Sequence, residues 1–253
     1  MNVRSVIITG ANRGIGLEFV KQFVALPKPP SHLISTCRSP EQATELQSIA
    51  KSNSNVHVLQ LDILSDDSIN AFTDKVKNIL EGQGLNLLLN NAGVHLERFG
   101  DFDKVSRNGL EQSFSAHITG PVKICQDLLP SLKAAAAASP QPGMSVSKAA
   151  IIHFSSIMAS IASVGPGGPP SSYSYQVTKS AVNMLTKLMS VDLESSGILV
   201  ACIHPGWVKT DMGGPNGQLT TDQSVKSLFE LFSSFNKSSA GKLFSYNGEI
   251  IPW

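Results

Sequence analysis

The chain alternates short apolar, β-branched runs with longer amphipathic stretches, and this rhythm strongly constrains the fold. Predicted strands lie at 3–9, 32–37, 55–61, 85–91, 148–156, 197–205 and 242–246. Predicted helices lie at 16–26, 40–51, 65–80, 103–138, 173–196 and 222–236. Repeated βαβ units joined by right-handed crossovers give a parallel sheet with helices on both faces. We therefore expect an α/β fold, a Rossmann-type doubly wound parallel sheet, with one domain over residues 1–253 and ligands at the carboxyl ends of the strands.

The bulk composition excludes several classes of protein. Twenty basic and nineteen acidic residues give a net charge of +1 without a basic stripe, so we expect neither a nucleic-acid nor a membrane partner but a small molecule. Cys37, Cys125 and Cys202 are odd in number and widely spaced, which fits neither a disulfide framework nor a metal site. The sequence shows no secretory leader and no apolar run long enough for a membrane span, so we expect a cytoplasmic protein.

A glycine-rich stretch, TGANRGIG at 9–16, follows the first predicted strand and opens the first helix. Bare backbone N–H groups at a helix N-terminus bind phosphate. Its spacing, Gly-x-x-x-Gly-x-Gly, departs from the Gly-x-Gly-x-x-Gly fingerprint, so an ordinary strand-to-helix turn is an equally good interpretation of these residues alone. The candidate phosphate-binding residues here are Gly10, Asn12, Arg13, Gly14, Ile15 and Gly16.

The end of the second strand indicates which dinucleotide would bind. An acidic residue about 20 positions beyond the glycines would hold the adenosine ribose, but here Cys37 is followed by Arg38. Arg38 and Arg13 could bracket a 2′-phosphate through charge-assisted hydrogen bonds, which favours NADP(H), unless both are ordinary surface arginines. Asp62, with Ile63 after it, either accepts from the adenine amine or caps the helix that starts near Ser65.

The sequence NNAG follows the fourth strand. Ala92 and Gly93 would allow a ribose or ring to lie against the backbone. Asn90 and Asn91 can tie adjoining strand ends together through side-chain hydrogen bonds, and a plain turn is compatible with the same residues.

Tyr175 and Lys179 are four residues apart, so on a helix they share one face. Tyrosine has a reference pKa of about 10 and needs a neighbouring cation to act near neutrality. Ser155 and Ser156 end the fifth strand, where a hydroxyl can hydrogen-bond a substrate oxygen. Without other evidence, a tyrosine packed over a lysine stem is a common feature of helix surfaces.

From residue 3 to about 212, the chain resembles the short-chain dehydrogenase/reductase family in the order and spacing of five features. These features are the glycine loop, Asn-Asn-Ala-Gly at 90–93, Ser156, Tyr175-x-x-x-Lys179 and Pro205-Gly206. The segments GWVKTDMGG, LNLLLNNAG and YNGEIIPW look most like those of the sniffer-type carbonyl reductases.

The resemblance implies a mechanism. NADPH would transfer a hydride to a carbonyl carbon, Tyr175 would donate the proton, and Ser156 would hold the carbonyl oxygen. Lys179 would bond the nicotinamide ribose and lower the pKa of Tyr175. Tyr173 lacks a lysine four residues later and is not the proton donor. The family's cofactor-binding residues after the sixth strand would be Pro205, Gly206, Val208 and Thr210.

Two departures from the family pattern stand out. His117 occupies the position of an asparagine that helps to hold a water molecule beside the catalytic lysine. Either His117 takes over that role, giving kcat an inflection between about pH 6 and 7.5, or it is a partly buried helix residue with one hydrogen bond. The second departure is a Pro/Gly-rich insertion, SVGPGGPPSS at 163–172, that would border the substrate pocket.

These features favour an NADPH-dependent carbonyl reductase acting on quinones or other apolar activated ketones and aldehydes, with Ser156, Tyr175, Lys179 and His117 as its catalytic set. A hydroxysteroid or lipid alcohol dehydrogenase and a catalytically silent NADPH-binding redox sensor are the alternatives. Relatives often dimerise through the two long helices that flank the fifth strand, so a homodimer is expected.

Overall fold

Eight strands hydrogen-bond into one sheet in the computed structural model, which describes residues 2–97, 100–168 and 170–253. The strands are Ser5–Ile8 (β1), His32–Cys37 (β2), Val56–Gln60 (β3), Leu87–Asn90 (β4), Ala150–Phe154 (β5), Leu199–His204 (β6), Leu243–Ser245 (β7) and Ile250–Ile251 (β8). They lie in the order β3-β2-β1-β4-β5-β6-β7-β8. All neighbouring pairs from β3 to β7 are parallel, and β8 runs antiparallel to β7. The predicted doubly wound sheet is confirmed.

Helices cover both faces of the sheet because alternate residues of each strand point to opposite sides. The helices are Gly14–Val24 (α1), Thr44–Ser52 (α2), Asp66–Leu80 (α3), Arg107–Phe114 (α4), Gly120–Ala138 (α5), Tyr173–Asp192 (α6) and Thr221–Ser234 (α7). On β1, Val6 and Ile8 pack into the core beneath α1, α2 and α7, whereas Ile7 packs into the core beneath α3 and α5. Both cores are formed by apolar side chains.

The predicted helix over 103–138 is wrong as a continuous element. A short 3₁₀ turn at Phe102–Lys104 precedes α4, whose first turn is capped by the Ser106 hydroxyl, and a π-helical turn at Ser115–Thr119 joins α4 to α5. Pro121 lacks the N–H that an α-helix would donate to the His117 carbonyl, and its ring crowds that carbonyl. The backbone therefore widens there into a π-turn.

Two smaller features also differ from the sequence expectation. The two-residue strand β8 was not predicted, because it is too short to show a period. The predicted helix over 173–196 ends at Asp192 and is followed by a 3₁₀ turn at Glu194–Ser196. Pro169 of the insertion lies outside the described residues. None of the helices in the described ranges combines the length and apolarity needed to cross a bilayer.

Candidate active site

A cleft of about 910 Å³ opens at the carboxyl edge of the sheet, where the loops after β1, β2, β3, β4 and β6 meet α6. The predicted site residues that line it are Gly10, Asn12, Arg13, Gly14, Ile15, Gly16, Arg38, Asp62, Ile63, Ala92, Gly93, Tyr175, Lys179, Pro205 and Thr210. The fold thus brings together residues that are up to about 200 positions apart in the chain.

The glycine loop presents open backbone donors to this cleft. Gly10 and Gly14 have φ angles of +68° and +55°, which favour glycine. A Cβ atom on Gly16 would collide with the Gly10 carbonyl, so α1 can approach β1 only with glycine there. No side chain caps α1, and in the part of the chain that the structure describes nothing accepts from the N–H groups of Gly14, Ile15 or Gly16. These donors and the helix dipole fit a bound phosphate.

The two arginines of the predicted phosphate site behave differently. Arg38 is exposed at the rim of the cleft, and no ion pair holds its side chain among the described residues. Arg13 instead pairs with Asp211 of the loop after β6, with 2.7 Å between Nη1 and Oδ2. Arg13 is thus engaged in an exposed ion pair in this arrangement, and the bracket of Arg13 and Arg38 around a 2′-phosphate stays a prediction.

Asp62 does not cap α3. Its Oδ1 atom accepts from the Leu64 N–H at 3.0 Å, while the cap is the Ser65 hydroxyl, which accepts from the Ser68 N–H. The capping alternative for Asp62 is wrong. Asp62 lines the cleft beside Ile63, and its role toward adenine stays a prediction.

The two asparagines after β4 point to different places. The Asn91 amide donates to the Thr9 and Gly10 carbonyls and lines the cleft, so it ties the glycine loop to β4. The Asn90 side chain lies outside the cleft in the interior, where its amide meets Cys125 on α5 and His153 on β5. Of this pair, the cleft-lining residue is Asn91, for which the sequence predicted only a structural role.

Tyr175, Lys179 and Ser156 come together where α6 crosses the ends of β4 and β5. The Ser156 hydroxyl accepts from the Met158 N–H at 3.1 Å and lies near enough to the Tyr175 phenol to lower its pKa, and the Lys179 Nζ lies 5.6 Å from the centre of the phenol ring. Ser155 also lines the cleft, but its hydroxyl is engaged with the Asn183 side chain, to which it donates at 2.6 Å. The geometry therefore places Ser156, and not Ser155, beside the phenol. Tyr173 packs against Phe102 instead.

Burial dominates the electrostatics of this group. Desolvation raises the pKa of Tyr175 to about 12, against which the hydrogen bond from Ser156 acts. Desolvation also lowers the pKa of Lys179 to about 8, and its ammonium donates to the Phe154 carbonyl at 2.7 Å. Burial sets the direction of the Tyr175 pKa shift, which is upward, and the expected lowering by the Lys179 charge stays a prediction.

His117 is almost fully buried, with 3% of its surface exposed, and uses both ring nitrogens. Nδ1 lies 2.8 Å from the Thr178 hydroxyl, and Nε2 accepts from the Val94 N–H at 3.1 Å. Burial, with the charge of Lys179, lowers the pKa of His117 to about 2. The expected inflection between pH 6 and 7.5 is therefore wrong, because the imidazole stays neutral there. His117 makes two hydrogen bonds rather than one, and both connect protein elements.

The loop after β6 forms the far wall of the cleft. Pro205 and Thr210 line it, together with Met212. Val208 is buried and bridges Leu219, and a Cβ atom on Gly206 would meet Leu219 and Tyr246, so neither residue lines the cleft.

Sequence reasoning missed His95, two residues beyond NNAG. Its ring lines the cleft and stacks on the Tyr175 ring, with 4.5 Å between centroids. A lone histidine in a loop has no periodicity or spacing that would indicate this contact. Within the described ranges, no group of three or more His, Cys, Asp or Glu side chains is arranged to hold a metal ion.

Comparisons with known proteins identify relatives of similar sequence and fold. The chain is 38% identical to the carbonyl reductase Sniffer of D. melanogaster over the whole of both chains, with a TM-score of 0.95. It is also 38% identical to an NADPH-bound carbonyl reductase from chicken fatty liver, again over both whole chains, with a TM-score of 0.94. The C-signal protein of Myxococcus xanthus is 32% identical over 171 residues, which are 67% of this chain and 93% of that protein.

Residues 4–219 match the short chain dehydrogenase family model. This range contains every predicted site residue, from the glycine loop to the wall after β6. The chain therefore belongs to the short chain dehydrogenase family.

Proposed function

We propose that this protein is an NADPH-dependent carbonyl reductase that converts apolar, activated ketones, aldehydes or quinones into alcohols. The observation that carries the proposal is the meeting of Ser156, Tyr175 and Lys179 at the same sheet edge as the uncapped N-terminus of α1. A dinucleotide laid along this edge would have its phosphates at one end and its reactive ring at the other.

NADPH fits the residues of the cleft. The N–H groups of Gly14, Ile15 and Gly16 would hold the pyrophosphate, and Arg38 would hold the 2′-phosphate. Ala92 and Gly93 leave the backbone bare beside Lys179, whose ammonium would bond the nicotinamide ribose. The similarity to the chicken reductase, which binds NADPH, supports this choice of cofactor.

Bound NADPH supplies a hydride to the carbonyl carbon. Tyr175 donates its phenolic proton to the carbonyl oxygen, so the carbonyl becomes an alcohol. The Ser156 hydroxyl hydrogen-bonds the same oxygen as negative charge develops on it. The high pKa of Tyr175 keeps the phenol protonated before the step, and the Lys179 ammonium stabilises the phenolate that follows it.

An apolar substrate is favoured by the exposed side chains at the cleft. Leu96 and Met212 line it and remain 47% and 40% exposed. Trp207 is also exposed on the loop after β6. Large apolar side chains held open in a cleft favour ligands with apolar surface.

A spectrophotometric screen of NADPH oxidation with quinones, isatin-like diketones, aldehydes and steroids tests this function. Tyr175→Phe should lower kcat by about 10²-fold to 10⁴-fold while NADPH still binds, because only the proton donor is removed. Tyr173→Phe is the matched control on the same helix and should keep its activity. An undiminished kcat in Tyr175→Phe would refute the assignment, and no turnover of any carbonyl would favour a silent NADPH-binding sensor.

We also propose that the chain is one domain and forms a homodimer through the outer face of α6. Val177, Met184, Leu188 and Val191 share that face and are 47% to 62% exposed. Light scattering on Met184→Glu should then report a monomer where the unmodified chain is a dimer.

A further inference from the structure

His95 covers one face of the tyrosine that is proposed to donate the proton. Its imidazole and the Tyr175 ring are 4.5 Å apart at their centroids and 30° from parallel. His117 meets the same phenol at 5.8 Å in an edge-on geometry of 83°. The phenol is thus held by two imidazoles, one of which belongs to the cleft wall.

A chain of hydrogen bonds fixes the orientation of His95. Its Nε2 lies 2.8 Å from the Ser172 hydroxyl. That hydroxyl donates its only proton to the Glu97 carbonyl at 3.0 Å, so it accepts from His95 Nε2–H. The Ser172 N–H donates in turn to the Gln176 side chain at 2.7 Å. The imidazole is therefore anchored to the residue that immediately precedes α6.

Ser172 is also the last residue of the 163–172 insertion. The neighbouring Ser171 carbonyl accepts from the Gly100 N–H at 3.3 Å. The end of the insertion is thus bonded to the same loop after β4 that carries His95, and through His95 it reaches the catalytic ring.

We propose that His95 is a positioning residue that holds the Tyr175 phenol in the orientation for proton donation, with Ser172 fixing the imidazole. The inference rests on the proposed role of Tyr175. Without the imidazole, one face of the phenol opens to the cleft and its hydroxyl can turn away from the substrate oxygen. A small misplacement of a catalytic group lowers the rate of the chemical step without weakening cofactor binding.

Three substitutions of His95 separate stacking from hydrogen bonding. His95→Ala removes both contacts, His95→Gln keeps a donor for Ser172 without a ring, and His95→Phe keeps a ring that can stack. We expect His95→Ala and His95→Gln to lower kcat at least 10-fold and to change the solvent deuterium isotope effect on kcat. We expect His95→Phe to recover most of the loss. The Kd for NADPH should stay within about 2-fold in all three variants, since His95 acts on the phenol.

The matched control is His57→Ala, which removes a histidine stacked on another ring, His32 at 5.7 Å, on the far strands of the sheet. It should keep the unmodified kcat. Ser172→Ala provides a second probe if His95→Ala does not fold, and it should lower kcat in the same direction by a smaller factor.

The results separate the two proposals. Tyr175→Phe, measured alongside, tests the proton donor itself. If Tyr175→Phe is inactive while His95→Ala and Ser172→Ala keep full kcat, the positioning role of His95 is overturned and the proposed function stands. Recovery by His95→Gln but not by His95→Phe also overturns the stacking role. Full activity in Tyr175→Phe instead refutes the proposed function.

Discussion

The hydrogen bonds of His117 explain why its imidazole stays neutral over the pH range of an assay. The Thr178 hydroxyl donates to the Ser174 carbonyl at 2.6 Å, so it accepts from His117 Nδ1–H, and Nε2 accepts from the Val94 N–H. Both nitrogens of the neutral ring are therefore satisfied in one tautomer. Protonation would replace the bond from Val94 by a clash of two donors, in a buried position beside Lys179.

The pH dependence of catalysis follows from this residue and from Lys179. His117 stays neutral above its pKa of about 2, whereas Lys179 loses its charge as the pH rises through about 8. We expect kcat/KM for NADPH to fall as the pH passes 8, because the neutral amine binds the ribose less well. Profiles measured from pH 5.5 to 9 should have the same shape for the unmodified protein and His117→Asn. An inflection near pH 6.5 that disappears in His117→Asn would contradict the neutral tautomer.

Arg38 should decide the choice between NADPH and NADH. Arg38→Asp removes a charged hydrogen bond to the 2′-phosphate and adds repulsion, so NADPH binding should weaken by about 1.5–3 kcal/mol or more. NADH binding should change little. Arg107→Asp is the control, since Arg107 is exposed on α4 and pairs with Glu111. Fluorescence titration of both cofactors measures the effect, and equal losses for both would place the 2′-phosphate elsewhere.

At the scale of elements, the β1-turn-α1 unit depends on the close approach of Gly16 to the Gly10 carbonyl. Gly16→Ala should destabilise the fold by more than about 2 kcal/mol, because backbone and the Asn91 amide must move. Gly82→Ala is a useful comparison, since nothing lies within 4 Å of its Cβ position and only its φ of +77° is unfavourable. That variant should lose about 1 kcal/mol. Urea unfolding distinguishes the two, and similar losses would argue against a steric role for Gly16.

The elements that the sequence predicted well are those whose signal is local. Strands such as β5 and β6 are buried on both faces and read as continuous apolar runs, which is why their positions were foreseeable. The π-turn at Ser115–Thr119 could not be predicted from the sequence, because its cause is the missing N–H of Pro121 within an otherwise helical pattern. The two residues of β8 carry no periodic signal.

The candidate site was predictable to a similar degree. Tyr175, Lys179 and Ser156 were found through spacing and resemblance, and the structure brings them together. The stacking of His95 and the direction of the Asn90 side chain depend on how distant segments pack, which no local pattern encodes.

At the scale of the whole molecule, buried histidines should make the fold sensitive to acid. Burial lowers the pKa of His117 to about 2 and that of His153 to about 4. The unfolded chain takes up these protons below about pH 6.5 and the folded chain does not, so stability is lost as the pH falls below that value. Each of the two histidines contributes about 1 kcal/mol per pH unit to this loss.

Urea unfolding of His153→Asn at several pH values tests this origin. Between pH 6 and 5 the free energy of unfolding should fall less steeply in the variant, by about 1 kcal/mol per pH unit. Above pH 7.5 the two slopes should be equal, whatever the difference in stability. Identical slopes below pH 6 would mean that His153 is protonated in the folded chain.

The π-turn between α4 and α5 also makes the orientation of the buried face of α4 independent of that of α5. In an uninterrupted α-helix, successive residues advance by about 100°, so the direction of the buried stripe of α5 would dictate that of α4. The wider turn absorbs one residue and frees α4 from that register. α4 can therefore pack against α6, which carries Tyr175 and Lys179, while α5 keeps its contacts with α3. Removing one residue from Ser115–Thr119 together with Pro121→Ala would rejoin the two registers and turn His117 away from Val94 and Thr178.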